Sequence, residues 1–403
     1  MKIAIVSDLH LGYERFEEDA FNQAAEALEK ASESADAILI PGDIFDKRYP
    51  RPEVISQAIN IFRELSKKKW NAKISGYTGK AGIHTTVPII AIPGTHERIA
   101  EGKENAVKLL SLAGLLADTS ESTTTVQKGD ELVSIFGLGG VSDDMVKEKI
   151  RELAPKPSGG TFSIFMFHQS IYEMLPFNDQ FIRYADLPKG FDLYVCGHMH
   201  SAQESTAHGK KLLIPGSTVL TQLKSEEQSR KGFILFDTVD GTHRFVEIGS
   251  RPYVLREIEA KDAKPSELSE LCDAEVSKII KEAKSRPIIR LKISGTIAKG
   301  FSTADLQMHA ITSKYSSKAF ISIDTSRLSS PDSELMIEEI RSGRLDDMPI
   351  RELGMLTLAS RIKESKIEMP ANYSELFNIL ATSPNKEKAI QAANELLFGE
   401  KGS

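Results

Sequence analysis

The sequence is poor in the features that mark secreted, membrane-spanning and repetitive proteins. Its 403 residues contain only two cysteines, Cys196 and Cys272, which lie far apart. Such a pair does not make the disulfide framework of a small secreted domain, and a reducing compartment suits it. No stretch approaches the roughly 20 apolar residues needed to span a bilayer, and we find no internal repeat or low-complexity tract. These absences predict a soluble, cytoplasmic protein with no membrane partner.

The sequence also lacks a charge excess of the kind that marks many nucleic-acid-binding proteins. It has 51 basic and 57 acidic residues, a formal net charge of -6. Binding to a polyanion would therefore need local basic patches, a dimer that pools them, or a basic partner.

Short apolar runs alternate with amphipathic stretches over the first 250 residues. The first run, residues 3–6, breaks at Ser7 and lacks a small-residue cleavage site, which favours a strand over a signal peptide. Helical apolar spacing marks residues 17–32 and 52–67. This alternation predicts an α/β sandwich. The predicted strands are residues 3–6, 37–40, 88–92, 133–136, 162–167, 193–196, 212–214 and 233–236.

The character of the sequence changes near residues 250–252, so we predict domains over 1–250, 251–325 and 326–403. The second is a small α+β domain, with helices at 265–285 and 303–312 and strands at 288–294 and 319–323. Residues 326–333 are rich in serine and predict a linker. Amphipathic helices are predicted at 351–363 and 385–398, and their lack of a covering sheet suggests docking on a partner.

Five apolar runs in the first domain end in residues that can bind metals. The carboxyl ends of parallel strands meet at one edge of a sheet, so side chains distant in sequence can converge there. Five of the nine histidines lie at these ends, and a random distribution of histidines along the chain would not place them so. The residues are Asp8 and His10, Asp43, Thr95 and His96, His168, and His198 and His200.

The donor types at these strand ends predict a two-metal site. In Asp8-x-His10 and His198-x-His200, both side chains lie on the same side of an extended segment. Carboxylates and imidazoles without thiolates suit Mn²⁺, with iron or zinc as alternatives, better than Ca²⁺. Asp43 would bridge two ions, which together clamp a phosphodiester and activate water. His96 is then left to protonate the departing oxygen or to stabilise developing charge.

Other residues of the same types lack this context. We interpret His84, His208, His243 and His309 as structural or surface residues, and the buried run around Cys196 as core. Trp70 lies in a lysine- and glycine-containing stretch, 67–82, which predicts an exposed loop or, alternatively, a DNA contact.

These motifs resemble those of the calcineurin-like metallophosphoesterase superfamily, which run D-x-H, G-D, G-N-H-D/E, H and G-H-x-H. More narrowly, the chain resembles the double-strand-break repair nucleases called meiotic recombination eleven in eukaryotes and archaea, and SbcD in bacteria; the archaeal type is expected. The stretches 7–12 and 42–46 resemble that family's first two motifs, and Pro215-Gly216-Ser217 follows the G-H-x-H motif as it does there. The resemblance covers about residues 1–325 and implies a four-layer α/β/β/α sandwich, followed by a DNA-capping domain.

The resemblance also implies how the ligands are shared between two ions. One ion would take Asp8, His10, Asp43 and His200, and the other Asp43, Thr95, His168 and His198. His96 would be the catalytic histidine. Thr95 departs from the family, which has asparagine there; a threonine hydroxyl is shorter and a poorer ligand, which predicts a stronger need for Mn²⁺.

The activity that the resemblance implies is a Mn²⁺-dependent DNA nuclease, with 3′-to-5′ exonuclease and single-strand endonuclease activities. Its members are homodimers whose C-terminal helices bind an SMC-like ABC ATPase of the Rad-fifty or SbcC type. The expected location is cytoplasmic or, alternatively, nucleoid-associated. Two alternatives remain: a metallophosphoesterase acting on small phosphodiesters, and a weakly active DNA-bridging scaffold.

Overall fold

The computed structural model describes residues 1–79, 85–99, 103–176, 178–225 and 230–330, with isolated helical positions at 355, 359, 375 and 379. It divides into two compact units, of which the first is Met1–Arg251 and the second begins at Pro252. Among the described residues, no helix is both long and apolar enough to cross a membrane. His84 and the predicted helix at 385–398 lie outside the described residues, and of the predicted helix at 351–363 only positions 355 and 359 are described, both of them helical.

The described residues of the first unit form two sheets, one of six strands and one of seven. The six-stranded sheet has the order β13-β12-β1-β2-β4-β5, and the seven-stranded sheet β10-β11-β9-β8-β7-β6-β3. The strands are β1 Lys2–Ile5, β2 Ala37–Pro41, β3 Lys73–Tyr77, β4 Ile89–Ile92, β5 Ala117–Asp118, β6 Ser122–Lys128, β7 Glu131–Leu138, β8 Phe162–Phe167, β9 Leu193–Cys196, β10 Gln203–Ala207, β11 Lys210–Ile214, β12 Gly232–Asp237 and β13 His243–Glu247. The helices are α1 Glu17–Ser34, α2 Pro52–Ser66, α3 Ala106–Leu112 and α4 Val146–Leu153.

Alternating side chains of the strands build the layers. In β1, Ile3 and Ile5 face an apolar cluster between the two sheets, whereas Ala4 packs with residues of α1, α2 and α3. In β8, Ile164 faces the inter-sheet cluster and Phe165 packs with residues of α4. Burying one such aliphatic side chain contributes roughly 1.5–3 kcal/mol. The result is the predicted four-layer α/β/β/α sandwich.

Both long helices of the first unit follow from the sequence pattern. Phe21, Ala24 and Leu28 recur at helical spacing in α1, and all three are buried. Pro52 occupies the first turn of α2, where its missing N–H removes no hydrogen bond.

The parallel strands of the two sheets carry the site. β1, β2 and β4 pair in parallel in the first sheet. In the second sheet, β7, β8, β9 and β11 are likewise parallel. The predicted metal residues all follow the carboxyl ends of these strands.

Over residues 252–330, the part described in full, the second unit is a three-stranded parallel sheet with helices between its strands. In chain order it contains β14 Tyr253–Ala263, α5 Pro265–Glu282, β15 Ile288–Ile297, α6 Met308–Lys314 and β16 Phe320–Ser329. The predicted mixture of helices and strands is present, and all three strands are parallel.

Two predictions of local structure are wrong. The predicted linker at 326–333 begins inside β16, where Arg327 and Leu328 pair with β15; backbone pairing compensates there for a serine-rich sequence. The predicted loop around Trp70 is partly a strand, β3, and Trp70 packs against the first apolar cluster with its indole N–H donating to the Leu65 carbonyl.

Candidate metal centre

Five loops at the carboxyl ends of β1, β2, β4, β8 and β9 bring the predicted residues together. In each of two groups, one ligand atom per residue lies within 4.8 Å of the others. We call Asp8, His10 and His200 cluster 1. We call Asp43, His168 and His198 cluster 2. A third overlapping group joins His10 and His96 to Asp46, a residue that the sequence analysis missed.

In cluster 1, two imidazoles and a carboxylate point at one another. The Nε2 atoms of His10 and His200 are 3.1 Å apart, and Asp8 Oδ1 lies 3.9 Å and 3.7 Å from them. The other ring nitrogen of His200, Nδ1, pairs with Thr221 Oγ1 at 2.7 Å. That hydrogen bond fixes the ring and leaves Nε2 directed into the cluster.

In cluster 2, each histidine is also held through one nitrogen. His168 Nδ1 donates to the Pro41 carbonyl at 2.7 Å, and its Nε2 lies 3.2 Å from Asp43 Oδ2. His198 Nε2 pairs with Ser170 Oγ at 2.9 Å, which leaves Nδ1 as its inward atom.

Thr95 and His96 lie on the exposed rim of the centre. Thr95 Oγ1 is 3.4 Å from His198 Nδ1. His96 is held by its Nδ1, which pairs with the Asp46 carbonyl, while its Nε2 lies 4.0 Å from Asp43 Oδ2. With 41% of its side chain exposed, His96 is accessible to a substrate in a way that His10 and His168 are not.

Four of these residues have left-handed backbone conformations. The φ angles are 52° at Asp8, 46° at His10, 50° at Asp43 and 77° at His198. Residues other than glycine rarely adopt positive φ, and such outliers concentrate at functional sites. The strand ends therefore turn sharply to aim these side chains at a common point.

Two glycines let the loops approach each other. A Cβ on Gly94 would lie 2.2 Å from Asp43 Oδ1, and one on Gly197 would lie 2.1 Å from the Pro41 carbonyl oxygen. Any side chain at either position would push the motif loops apart.

Burial and mutual charge set the protonation of cluster 2. Burial alone would raise the pKa of Asp43, but the positive charge of His168 outweighs it and holds that pKa well below its ordinary range. Burial opposes a charged His168, yet the Asp43 carboxylate raises its pKa to about 10. Burial, together with the neighbouring His168, lowers the pKa of His198 to about 4.

Glu97 is a buried carboxylate that the sequence analysis also missed. It accepts hydrogen bonds from the backbone N–H groups of Gly94, Asp43 and Phe45 at 2.7, 3.1 and 2.6 Å. Burial, with the nearby Asp43 charge, raises its pKa to about 8. Glu97 thus ties the loop after β4 to the loop after β2. Its place at the D/E position of the G-N-H-D/E motif, directly after His96, was the available signal.

The donor atoms fit a divalent metal ion. Because His168 Nδ1 donates to a carbonyl, a neutral ring presents the Nε2 lone pair to the Asp43 carboxylate. That buried Nε2 has no hydrogen-bond partner among the described residues. Two acceptors facing each other in a buried site require a proton or a cation between them. Imidazole and carboxylate donors, with each imidazole oriented through its second nitrogen, are typical of such metal sites.

The described histidines outside this group bond elsewhere. His208 Nε2 pairs with the Leu187 carbonyl at 2.8 Å, and His243 lies 3.4 Å from Glu204. His309 pairs with Ser313 in α6, and Cys196 is fully buried as predicted.

Known proteins resemble this chain along most of its length. The Double-strand break repair protein mre-11 of Caenorhabditis elegans is 25% identical over 318 residues, which is 67% of this chain and 42% of that protein. The DNA double-strand break repair protein Mre11 of Sulfolobus acidocaldarius is 24% identical over 74% of this chain and 76% of its own length. The protein of the same name from Sulfurisphaera tokodaii is 29% identical over 59% of each chain. The chain thus spans less than half of the nematode relative.

A family model extends the comparison to the site itself. The model described as Calcineurin-like phosphoesterase matches residues 1–202, half of the chain, and this span contains clusters 1 and 2. The chain belongs to the calcineurin-like phosphoesterase family.

Proposed function

We propose that the protein is a two-metal DNA nuclease that processes DNA ends in double-strand-break repair. The observation that carries the proposal is the pair of adjoining histidine–carboxylate clusters, each of which joins residues that follow parallel strands of both sheets. Similarity to relatives named for double-strand-break repair supports DNA as the substrate. We propose 3′-to-5′ exonuclease and single-strand endonuclease activities, with Mn²⁺ as the ion.

The ligands divide into two sets that share Asp43. Asp8, His10, Asp43 and His200 would hold one ion, and Asp43, Thr95, His168 and His198 would hold the other. Bound divalent ions supply Lewis-acid polarisation of the phosphodiester and make water a stronger nucleophile. The resemblance gives Asp43 the shared position; its carboxylate lies 3.2 Å from His168 Nε2 of cluster 2, and its backbone carbonyl accepts the N–H of His10 of cluster 1 at 3.1 Å.

His96 acts on the substrate rather than on an ion. Its Nδ1 is held by the Asp46 carbonyl, so Nε2 is the atom free to meet a phosphate oxygen. A proton held at Nε2 can pass to the departing 3′ oxygen or stabilise charge on the phosphate.

The second unit and the C-terminal residues supply the macromolecular context of this activity. We propose a nuclease domain at 1–250, a DNA-capping domain that begins at 251 and includes all of β16, and a C-terminal region after β16 that binds an SMC-like ABC ATPase. A homodimer brings two such centres to one DNA end. These assignments rest on the resemblance to the repair nucleases and on the presence of a separate second unit.

Nuclease assays on the metal-reconstituted chain test the proposal. Labelled blunt, overhanging and hairpin DNA are incubated with Mn²⁺ or Mg²⁺, with and without a candidate ATPase. We expect Mn²⁺-dependent cleavage. His96→Ala should lower it by at least about 10²-fold, the scale of one proton donor, while both ions stay bound. His309→Ala, which removes an exposed histidine of the second unit, serves as the matched control.

Each alternative has its own outcome in the same assay. Cleavage of a chromogenic diester without cleavage of DNA would indicate a small-molecule phosphodiesterase. DNA binding without cleavage, at full metal loading, would indicate a scaffold. Full nuclease activity in His96→Ala would refute the role given to that histidine.

A further inference from the structure

Lys231 is a buried lysine beside the metal centre that the proposed chemistry does not use. It lies directly before β12, and only 2% of its surface is exposed. Burying an ammonium group is costly unless hydrogen bonds replace its water. An unbranched apolar side chain of similar length, such as methionine, would fill the same space without that cost.

The ammonium group donates to the backbone of a cluster 1 residue. Lys231 Nζ is 3.1 Å from the His200 carbonyl oxygen and 2.8 Å from Ser217 Oγ. The same carbonyl accepts the backbone N–H of Ser217 at 3.1 Å. Ser217 Oγ in turn donates to the Val219 carbonyl at 2.7 Å. One charged group therefore joins the loop after β9 to the turn after β11.

That turn also touches the other end of cluster 1. Ser217 forms a parallel bridge with Ser7, and the Thr218 N–H donates to the Asp8 carbonyl at 3.3 Å. The backbones of Asp8 and His200 are thus held by adjacent residues of one turn, and Lys231 lies where that turn meets His200.

We propose that Lys231 is a positioning residue of cluster 1, which fixes the His200 backbone so that its Nε2 stays aligned with His10 and Asp8. The imidazole is held at Nδ1 by Thr221, and its peptide is held by Lys231. Both ends of the residue must be fixed, because a ring pivoting about a loose backbone loses its alignment even when one nitrogen is bonded. The inference rests on the metal centre of the proposed function and not on its DNA substrate.

A role confined to filling the core predicts different behaviour. Loss of a core contact would lower the unfolding temperature and loosen both clusters alike. Loss of a positioning contact weakens one ion selectively, since cluster 2 has its own supports at Pro41 and Ser170. Removing groups that orient a metal ligand typically lowers affinity 10- to 100-fold.

Calorimetric titration of the full, metal-stripped chain with Mn²⁺, in the absence of DNA, tests the proposal. Lys231→Met keeps the length of the side chain and removes its donors. We expect it to bind one of two ions roughly 10- to 100-fold more weakly, with the other unchanged. With Co²⁺ as the probe, the visible absorption of that same ion should change. Lys211→Met removes a lysine that also donates to a carbonyl, that of Gly241, and should bind both ions normally.

If Lys231→Met does not fold, Ser217→Ala provides a second test. It deletes only the hydroxyl group that accepts a hydrogen bond from the Lys231 ammonium group. It should weaken the same ion. The proposal is overturned by normal binding of both ions in a folded Lys231→Met, by equal weakening of both, or by normal binding in Ser217→Ala if that variant must decide. Two bound ions without DNA cleavage in the unaltered chain would instead overturn the nuclease proposal and leave Lys231 in its role. Failure of the unaltered chain to bind any ion would overturn both.

Discussion

The two halves of the metal centre are built from the same residue types but differ in how they are completed. In cluster 1, the Nε2 atoms of His10 and His200 converge to 3.1 Å beside the fully buried Asp8. In cluster 2, Asp43 and His168 form a buried pair, and the side open to solvent is occupied by Thr95, 3.4 Å from His198 Nδ1. Each cluster holds two buried residues and one partly buried histidine, so the two differ less in burial than in the short, exposed hydroxyl that lies beside cluster 2.

Replacement of Asp43 should weaken metal binding at both clusters, because both proposed ligand sets use its carboxylate. Asp43→Asn should lower cleavage by more than about 10³-fold, above the 10²–10³ typical of losing one electrostatic contact. Metal content per chain, measured after dialysis, should also fall. Asp36→Asn is the matched control: this buried carboxylate precedes β2, at the opposite end of the strand, and pairs with Lys128. Normal cleavage by Asp43→Asn would contradict the shared position.

The hydroxyl groups that orient His200 and His198 can be removed one at a time, and each removal should weaken metal binding at one cluster only. Thr221→Val removes the hydroxyl at His200 Nδ1, and Ser170→Ala removes the hydroxyl at His198 Nε2. Each should lower the affinity of one ion roughly 10- to 100-fold. Calorimetry with Mn²⁺ should show that the double variant weakens both. An identical pattern in the two single variants would mean that the clusters are not independent.

A longer side chain at position 95 should reduce the difference in metal affinity between the two clusters. Thr95→Asn places an amide carbonyl, a better and longer neutral donor, beside His198. We expect the weaker ion to bind about 10-fold more tightly, as for other single ligand-orienting changes, and the dependence on Mn²⁺ over Mg²⁺ to narrow. Metal titrations of the two proteins, compared at equal ionic strength, measure this. Identical occupancy and activity would reject the account of Thr95.

Stability of the metal-free chain should depend on pH through cluster 2. The folded pKa of His168, about 10, lies above its unfolded value near 6.5. Its pairing with Asp43 therefore stabilises fully below about pH 6.5, and that contribution is lost as pH rises towards 10. Denaturant unfolding at pH 7 and 9.5 should show a smaller decrease in His168→Gln than in the unaltered chain. Equal decreases would show that the pair contributes nothing.

Much of the centre could be predicted because its ligands follow apolar strands directly. Asp8, His168 and His198 each lie just beyond a largely buried apolar strand, and residues that follow parallel strands are expected to converge at their carboxyl ends. That the two sheets would place these ends side by side was not predictable from the runs alone. The residues that support these ligands gave no such signal. Glu97, Asp46 and Lys231 act through contacts between loops that are far apart in sequence.

The strands that escaped prediction have little apolar patterning. β6, Ser122–Lys128, is rich in threonine, and its identity depends on antiparallel pairing with β7 and β3. β10, Gln203–Ala207, is largely polar and is held as a strand by β11 alone. Tertiary hydrogen bonding decides such segments, and a single sequence does not contain it.

The left-handed backbone conformation lowers the folding stability of the chain at four residues that are needed as metal ligands. These residues are Asp8, His10, Asp43 and His198. Each of these residues adopts a conformation that glycine would adopt freely, at a cost on the order of 1 kcal/mol. Glycine at any of the four would relieve that strain and delete a metal ligand. A library of variants selected for thermal resistance alone, in the absence of metal, should therefore drift towards inactive proteins at these positions first. Adding metal to the same selection should reverse the drift, because only the ligand-bearing residues then gain stability from binding.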